Sequence, residues 1–177
     1  MNSASKWIAG ARPRTLPAAI SPVLVGTALA YRIGDNVSYL NAFLALVVSL
    51  ALQIAVNYAN DYSDGVKGTD QQRVGPIRLV GSGLASASAV KNAAFISFGV
   101  AALVGSILST RTSYLLILVG IISIIAAWTY TGSSKPYGYR GFGEFLSFYS
   151  LELLRRSVPS MFQQKVSPGK PFYSLFL

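Results

Sequence analysis

Of the six acidic residues in this 177-residue chain, Asp61, Asp64 and Asp70 fall together in one short stretch. Grouped carboxylates repel one another and are costly beside a bilayer. A divalent cation relieves both problems. The chain has no cysteine and no histidine, so thiolate frameworks, Cys/His zinc sites and histidine acid–base chemistry are excluded. A metal here must be held by oxygen, which favours Mg²⁺ over softer ions. Lys67, Arg73 and Arg78 follow the acids and offer cations to phosphate oxygens, the arginines by forked bonding and the lysine as a point charge. The chemistry suggested is a diphosphate gripped through Mg²⁺. Solvated loop charges that set topology and solubility are the other reading of the same residues, and spacing alone leaves both open.

The elements that must position these groups are apolar. The chain is 52% hydrophobic and only 12% charged, with mean hydropathy +0.47. A soluble domain carries about twice that charge. Apolar runs cover about Thr15–Tyr31, Leu40–Tyr58, Val90–Leu108 and Tyr114–Tyr130, each near the ~20 residues that cross a bilayer as helix. The expected fold is all-α: a polytopic transmembrane helical bundle of about four spans. Pro17 and Pro22 weaken the first run, because each removes a backbone donor. If the second helix continues past Tyr58, Asn57, Asp61 and Asp64 share one face, and Asn60 lies four residues before Asp64. Gly65 and Gly68 then let the backbone leave the helix and return Asp70 toward the same site.

Basic residues report topology. With the N-terminus in the cytoplasm, Lys6, Arg12, Arg14, Lys67, Arg73, Arg78, Lys91, Lys135 and Arg140 fall inside, and only Arg32 and Arg111 outside. This is the positive-inside pattern of a multi-pass protein of the cell (inner) membrane. Trp7, Tyr31, Tyr39, Tyr114, Trp128 and Tyr130 sit near span ends as interfacial anchors. The net charge of +9 is thus spread between apolar runs rather than along one face, which argues against nucleic acid as a partner. A signal peptide is the competing reading of the first run, with Ala28-Leu29-Ala30 as its cleavage site. The closely following spans argue against it.

Two inside segments carry further signal. Gly75-Pro76-Ile77-Arg78, followed by Gly81-Ser82-Gly83, is a turn-rich run able to bring backbone donors close to an anion. Ser86 or Ser88 is placed to cap the next helix. An ordinary loop entering a helix fits the run equally well. The segment from Tyr130 to Glu144 places Tyr137, Tyr139 and Phe142 either against an aromatic or prenyl substrate or at the interface as anchors.

These motifs together resemble a known family. Asn60-Asp61-Tyr62-Ser63-Asp64, continuing through Lys67-Gly68-Thr69-Asp70 to Gly75-Pro76-Ile77-Arg78, resembles the first Asp-rich motif of UbiA-type intramembrane prenyltransferases. Val66–Asp70, Ser82-Gly83 and the loop Lys135-Pro136-Tyr137-Gly138-Tyr139-Arg140-Gly141 resemble the branch that prenylates 1,4-dihydroxy-2-naphthoate in menaquinone synthesis. Ala11-Arg12-Pro13-Arg14-Thr15-Leu16-Pro17 is similar to the family's first helix entry. The likeness covers about residues 6–146.

The resemblance implies the first half of a bundle of about nine helices around a cavity open to the membrane. It implies transfer of a polyprenyl chain from its diphosphate to an aromatic acid, with loss of that acid's carboxylate. Asp61, Asp64 and Asp70 would hold Mg²⁺, and Asp61, Asp64 and Lys67 would act in catalysis. Asn57, Asn60, Asp70, Arg73, Arg78, Lys135, Tyr137 and Arg140 would bind substrate, with Lys135 or Arg140 at the aromatic carboxylate. The partners implied are a polyprenyl diphosphate, an aromatic acid and the lipid bilayer.

The chain also departs from the pattern. The family carries a second Asp-rich motif in its C-terminal half, and this sequence has none. The expected organisation is a membrane-embedded part, residues 1–146, and an aberrant polar and basic tail, residues 147–177. The apolar pattern breaks down at Leu151-Glu152-Leu153-Leu154-Arg155-Arg156, which raises the expectation of a frameshift or premature end. Reading the other two frames past codon 146 tests it. A chain ending here is expected to be inactive or weak, because one Asp cluster leaves a diphosphate half neutralised. A non-catalytic membrane remnant is the alternative, and a small cation-binding transporter ranks below it, since the acids lie at a helix end rather than at mid-membrane.

Overall fold

A computed structural model describes residues 2–32, 37–68 and 77–131. The expected tail, residues 147–177, lies outside them. The described elements are helices: α1 (Ser3–Ala11), a 3₁₀ turn (Pro13–Thr15), α2 (Leu16–Arg32), α3 (Tyr39–Lys67), α4 (Ala87–Arg111) and α5 (Leu115–Thr131). All four expected apolar runs are helical. α3 and α4 are long and apolar enough to cross a membrane. α2 and α5 have 17 residues each. At 1.5 Å per residue that is about 25 Å, somewhat short of a ~30 Å hydrocarbon core.

Local chemistry sets the helix ends. Ser38 Oγ accepts the Asn41 amide at 3.3 Å to start α3. Gly68, at φ 68°, closes it in the left-handed conformation, its N–H directed to the Asp64 and Gly65 carbonyls. The helix therefore does continue past Tyr58, for more than two further turns. Ser86 Oγ accepts the Ala89 amide at 3.2 Å and caps α4, as its position before the apolar run suggested.

α3 and α4 form the centre. Ala51, Ala55 and Ala59 recur every fourth residue on α3 and are buried, and α4 turns Val90, Ala94, Phe98 and Ala101 inward. Small residues on such a stripe let two helix backbones approach closely, the usual solution where lipid removes the hydrophobic drive between helices. The pair is antiparallel. Arg111 Nε, at the end of α4, donates to Asn41 Oδ1 at the start of α3 at 2.9 Å. α2 carries Pro22 in its interior. Beside the loosened turn, Ser49 Oγ of α3 donates to the Ala19 carbonyl at 2.8 Å. α5 leaves Leu115, Leu118, Ile122 and Ile125 exposed among the described residues, an apolar face of the kind that water does not favour.

α1 lies across the polar end of α3. Trp7 meets Tyr58 edge-on with ring centroids 5.8 Å apart, and Tyr58 Oη donates to the Trp7 carbonyl at 2.8 Å. Lys6 Nζ donates to the Leu84 carbonyl at 3.1 Å, tying α1 to the segment that enters α4.

Candidate functional site

The last turns of α3 concentrate polar side chains on an inward face. Asn57, Asp61 and Asp64 are all buried, as their helical spacing requires of one face turned toward the protein. Their partners differ. Asn57 Nδ2 donates to the Ala11 carbonyl and to Thr15 Oγ1, both at 2.9 Å. It thus ties α3 to the turn between α1 and α2.

Asp61 is fully buried. Its Oδ2 accepts the Leu79 amide at 2.8 Å, and its Oδ1 accepts the Val80 amide at 3.1 Å. The run after Gly75 was expected to offer backbone donors to an anion. It does so, and the anion is the chain's own carboxylate. The turn folds on itself through Ser82 N to Arg78 O, Gly83 N to Val80 O and Ala85 N to Leu79 O, each 3.0 Å, with Gly83 at φ 70°.

Asp64 lies one turn further along. Its Oδ2 pairs with Arg78 Nη2 at 3.0 Å, and both side chains are largely shielded. Desolvation offsets much of the attraction in a shielded ion pair, but losing either partner strands a charge. Lys67 Nζ donates back to Ser63 Oγ at 3.1 Å, so it sits on the same final turn. Asn60, four residues before Asp64, has an Oδ1 that is buried and has no hydrogen-bond partner among the described residues. Buried amide oxygens are rarely left so.

These groups allow a test of the donor set. Among the described residues no three His, Cys, Asp or Glu side chains come together. Asp61 has both oxygens on amides. The Asn60 amide oxygen and the Asp64 carboxylate are an oxygen-only set of the kind suited to a hard divalent ion that keeps its other positions for water and phosphate. Arg78 stands against that carboxylate. The structure thus brings Asn60, Asp64 and Arg78 to one end of α3 and directs Asn57 and Asp61 to other segments. Asp70, Arg73, Lys135, Tyr137 and Arg140 lie outside the described residues.

One feature is not evident in the sequence, and one glycine has a different part from the one expected. Tyr62 stacks on Trp128 with centroids 6.2 Å apart, Phe95 packs on the same indole at 4.6 Å, and Lys91 Nζ lies 5.9 Å from the Tyr62 centroid. The spacing of Lys91 and Phe95, one turn apart on α4, is the signal that pointed to such a ledge. Gly65, expected to let the backbone leave the helix, instead lies inside α3, where a Cβ would overlap the Val80 side chain; the exit is at Gly68.

A model of the UbiA prenyltransferase family matches residues 19–152. The chain is 55% identical over 148 residues to the 1,4-dihydroxy-2-naphthoate octaprenyltransferase of Mycobacterium tuberculosis, covering 84% of this chain and 50% of that protein. It is 53% identical to the enzyme of the same name in Mycobacterium leprae, over 84% of this chain and 50% of that one. Against the enzyme of that name in Escherichia coli the identity is 41%, over 78% of this chain and 47% of the relative. The chain spans about half the length of the curated relatives it matches. No solved structure matches it significantly.

Proposed function

This chain belongs to the UbiA prenyltransferase family, and from that premise we propose that it carries the diphosphate-gripping part of an enzyme that moves a polyprenyl chain from its diphosphate to 1,4-dihydroxy-2-naphthoate in menaquinone synthesis. The names of its relatives support the reaction and the acceptor. The observation that carries the reading is the shielded Arg78–Asp64 pair and, four residues before Asp64, the Asn60 oxygen that has no partner among the described residues, at the end of a helix long enough to span a membrane.

Each side chain has a task in this scheme. Arg78, oriented by Asp64, presents a planar fork to phosphate oxygens. Lys67, on the last turn of α3, adds a second cation. Asn60 and Asp64 are the residues that would hold Mg²⁺, with Asp70 as the further carboxylate of the motif. Bound there, the ion would supply charge neutralisation to the departing diphosphate. Arg73, Lys135, Tyr137 and Arg140 complete the proposed substrate contacts, Lys135 or Arg140 facing the aromatic carboxylate. A cavity of about 300 Å³ between α3, α4 and α5, walled by Val48, Leu52, Ala101, Gly105, Ile117 and Gly120, has the apolar lining a prenyl chain requires. The site opens to the cytoplasmic side of the cell membrane, with the N-terminus on that side.

The test is calorimetric titration of the chain in lipid nanodiscs with pyrophosphate in the presence of Mg²⁺. Binding is expected, weakened on the order of ten-fold or more by Arg78→Gln, as for loss of a charge-assisted contact. A chain that takes up no pyrophosphate refutes the proposal.

A further inference from the structure

Asp61 stands at the centre of the Asp-rich motif and was expected to hold metal, yet its surroundings are those of a fastening. The side chain is fully buried, and each carboxylate oxygen already receives one backbone N–H, from Leu79 and from Val80. Two amide donors to one carboxylate are charge-assisted bonds, and they satisfy an anion that would otherwise be costly at a membrane boundary. Releasing it to a cation would take the acceptor from the buried Leu79 amide and from the part-buried Val80 amide.

The turn so held is packed as well as bonded. Leu79 is fully buried, and its Cδ1 lies where a Cβ on Gly10 of α1 would come within 2.6 Å. Val80 rests directly on Gly65 of α3. Asp61 and Gly65 are one helical turn apart, so α3 grips residues 79 and 80 by a carboxylate and by a bare patch of backbone at once. Arg78 is the residue immediately before this grip, and it reaches back 3.0 Å to Asp64.

From this arrangement we infer that Asp61 is a positioning residue: it clasps the 79–80 backbone, sets Arg78 against Asp64, and is not itself a cation ligand. The clasp stands on the geometry alone. Its effect on diphosphate binding rests on the function proposed above, and the two can fail separately.

Hydrogen–deuterium exchange at the Leu79 and Val80 amides decides the clasp. In the unmodified chain, saturating Mg²⁺ should leave their protection unchanged. Asp61→Asn, which keeps the size but offers one acceptor and turns a donor toward an amide, should speed their exchange by about ten-fold or more. Faster exchange on adding Mg²⁺ to the unmodified chain would mean that the ion draws the carboxylate away, and the inference falls; it falls too if Asp61→Asn leaves both amides protected. A mutant cycle with Mg²⁺-pyrophosphate then separates positioning from general damage. Asp61→Asn should weaken binding on the order of ten-fold with Arg78 present and by less than about two-fold in an Arg78→Gln background. Equal losses in both backgrounds would show that Asp61 does not act through Arg78. Absence of pyrophosphate binding by the unmodified chain would strike the proposed function, with the exchange result still deciding the clasp.

Discussion

Gly65 occupies the point where α3 meets the turn that carries Arg78. An alanine there would drive its Cβ into the Val80 Cβ, an atom one bond from the backbone, so the turn itself must shift. Overpacking of this kind costs about 1–3 kcal/mol. Gly99 of α4 has nothing within 4 Å of the corresponding position, and alanine there should add up to ~1 kcal/mol through helix propensity. Thermal unfolding in detergent should therefore move in opposite directions for Gly65→Ala and Gly99→Ala; matching midpoints would deny the close approach. At this scale the sequence was legible in part. Residue type and spacing bring Asn60, Asp64 and Arg78 into one argument and place Asn57, Asp61 and Asp64 on one face. They do not say what meets that face. The partners of Asp61 lie at Leu79 and Val80, and those of Asn57 at Ala11 and Thr15, on segments remote in sequence that only the folded chain brings together.

Helices α2 to α5 were readable because each is an apolar run bounded by polar or turn residues. α1 was not. Its nine residues mix Lys6 with small and apolar side chains, and a helix that short has little stability of its own. It is held from outside, by Trp7 on Tyr58, by the Tyr58 hydroxyl on the Trp7 carbonyl, and by Lys6 on Leu84. Tyr58→Phe keeps the ring contact and removes the hydroxyl donor, a loss of about 1 kcal/mol. Tryptic cleavage in nanodiscs should then speed up after Lys6 relative to the unmodified chain, and Tyr58→Ala should speed it further. An unchanged rate in both variants would mean that α1 is anchored by other contacts.

Across the whole molecule, the antiparallel α3–α4 pair separates two ends of different character. Asn41 and Arg111 mark one, while Asp61, Arg78 and Lys6 gather at the other. The chain has no cysteine, so single thiols can report which end faces which compartment. With the proposed orientation, Ser3→Cys and Ser82→Cys should react with an impermeant maleimide only from the cytoplasmic side, and Ser113→Cys only from the other. Labelling of Ser3→Cys and Ser113→Cys from one side would break that arrangement. The family and the all-helical class were legible at this scale from motif order and hydropathy. The uneven helix lengths were not, because hydropathy runs do not register where polar faces extend a helix, as they do at the end of α3.

Pro22 bears on how such a chain comes to be made. α2 lacks one rung of its own backbone ladder at Pro22, and in the turn before that proline Ser49 of α3 donates to the Ala19 carbonyl. In hydrocarbon an unserved peptide group costs several kcal/mol. The Ser49 hydroxyl gives that turn a polar contact which α2 alone does not have, so α2 and α3 support each other as a hairpin. During synthesis, then, α2 is expected to settle into lipid together with α3, the two helices entering as one hairpin.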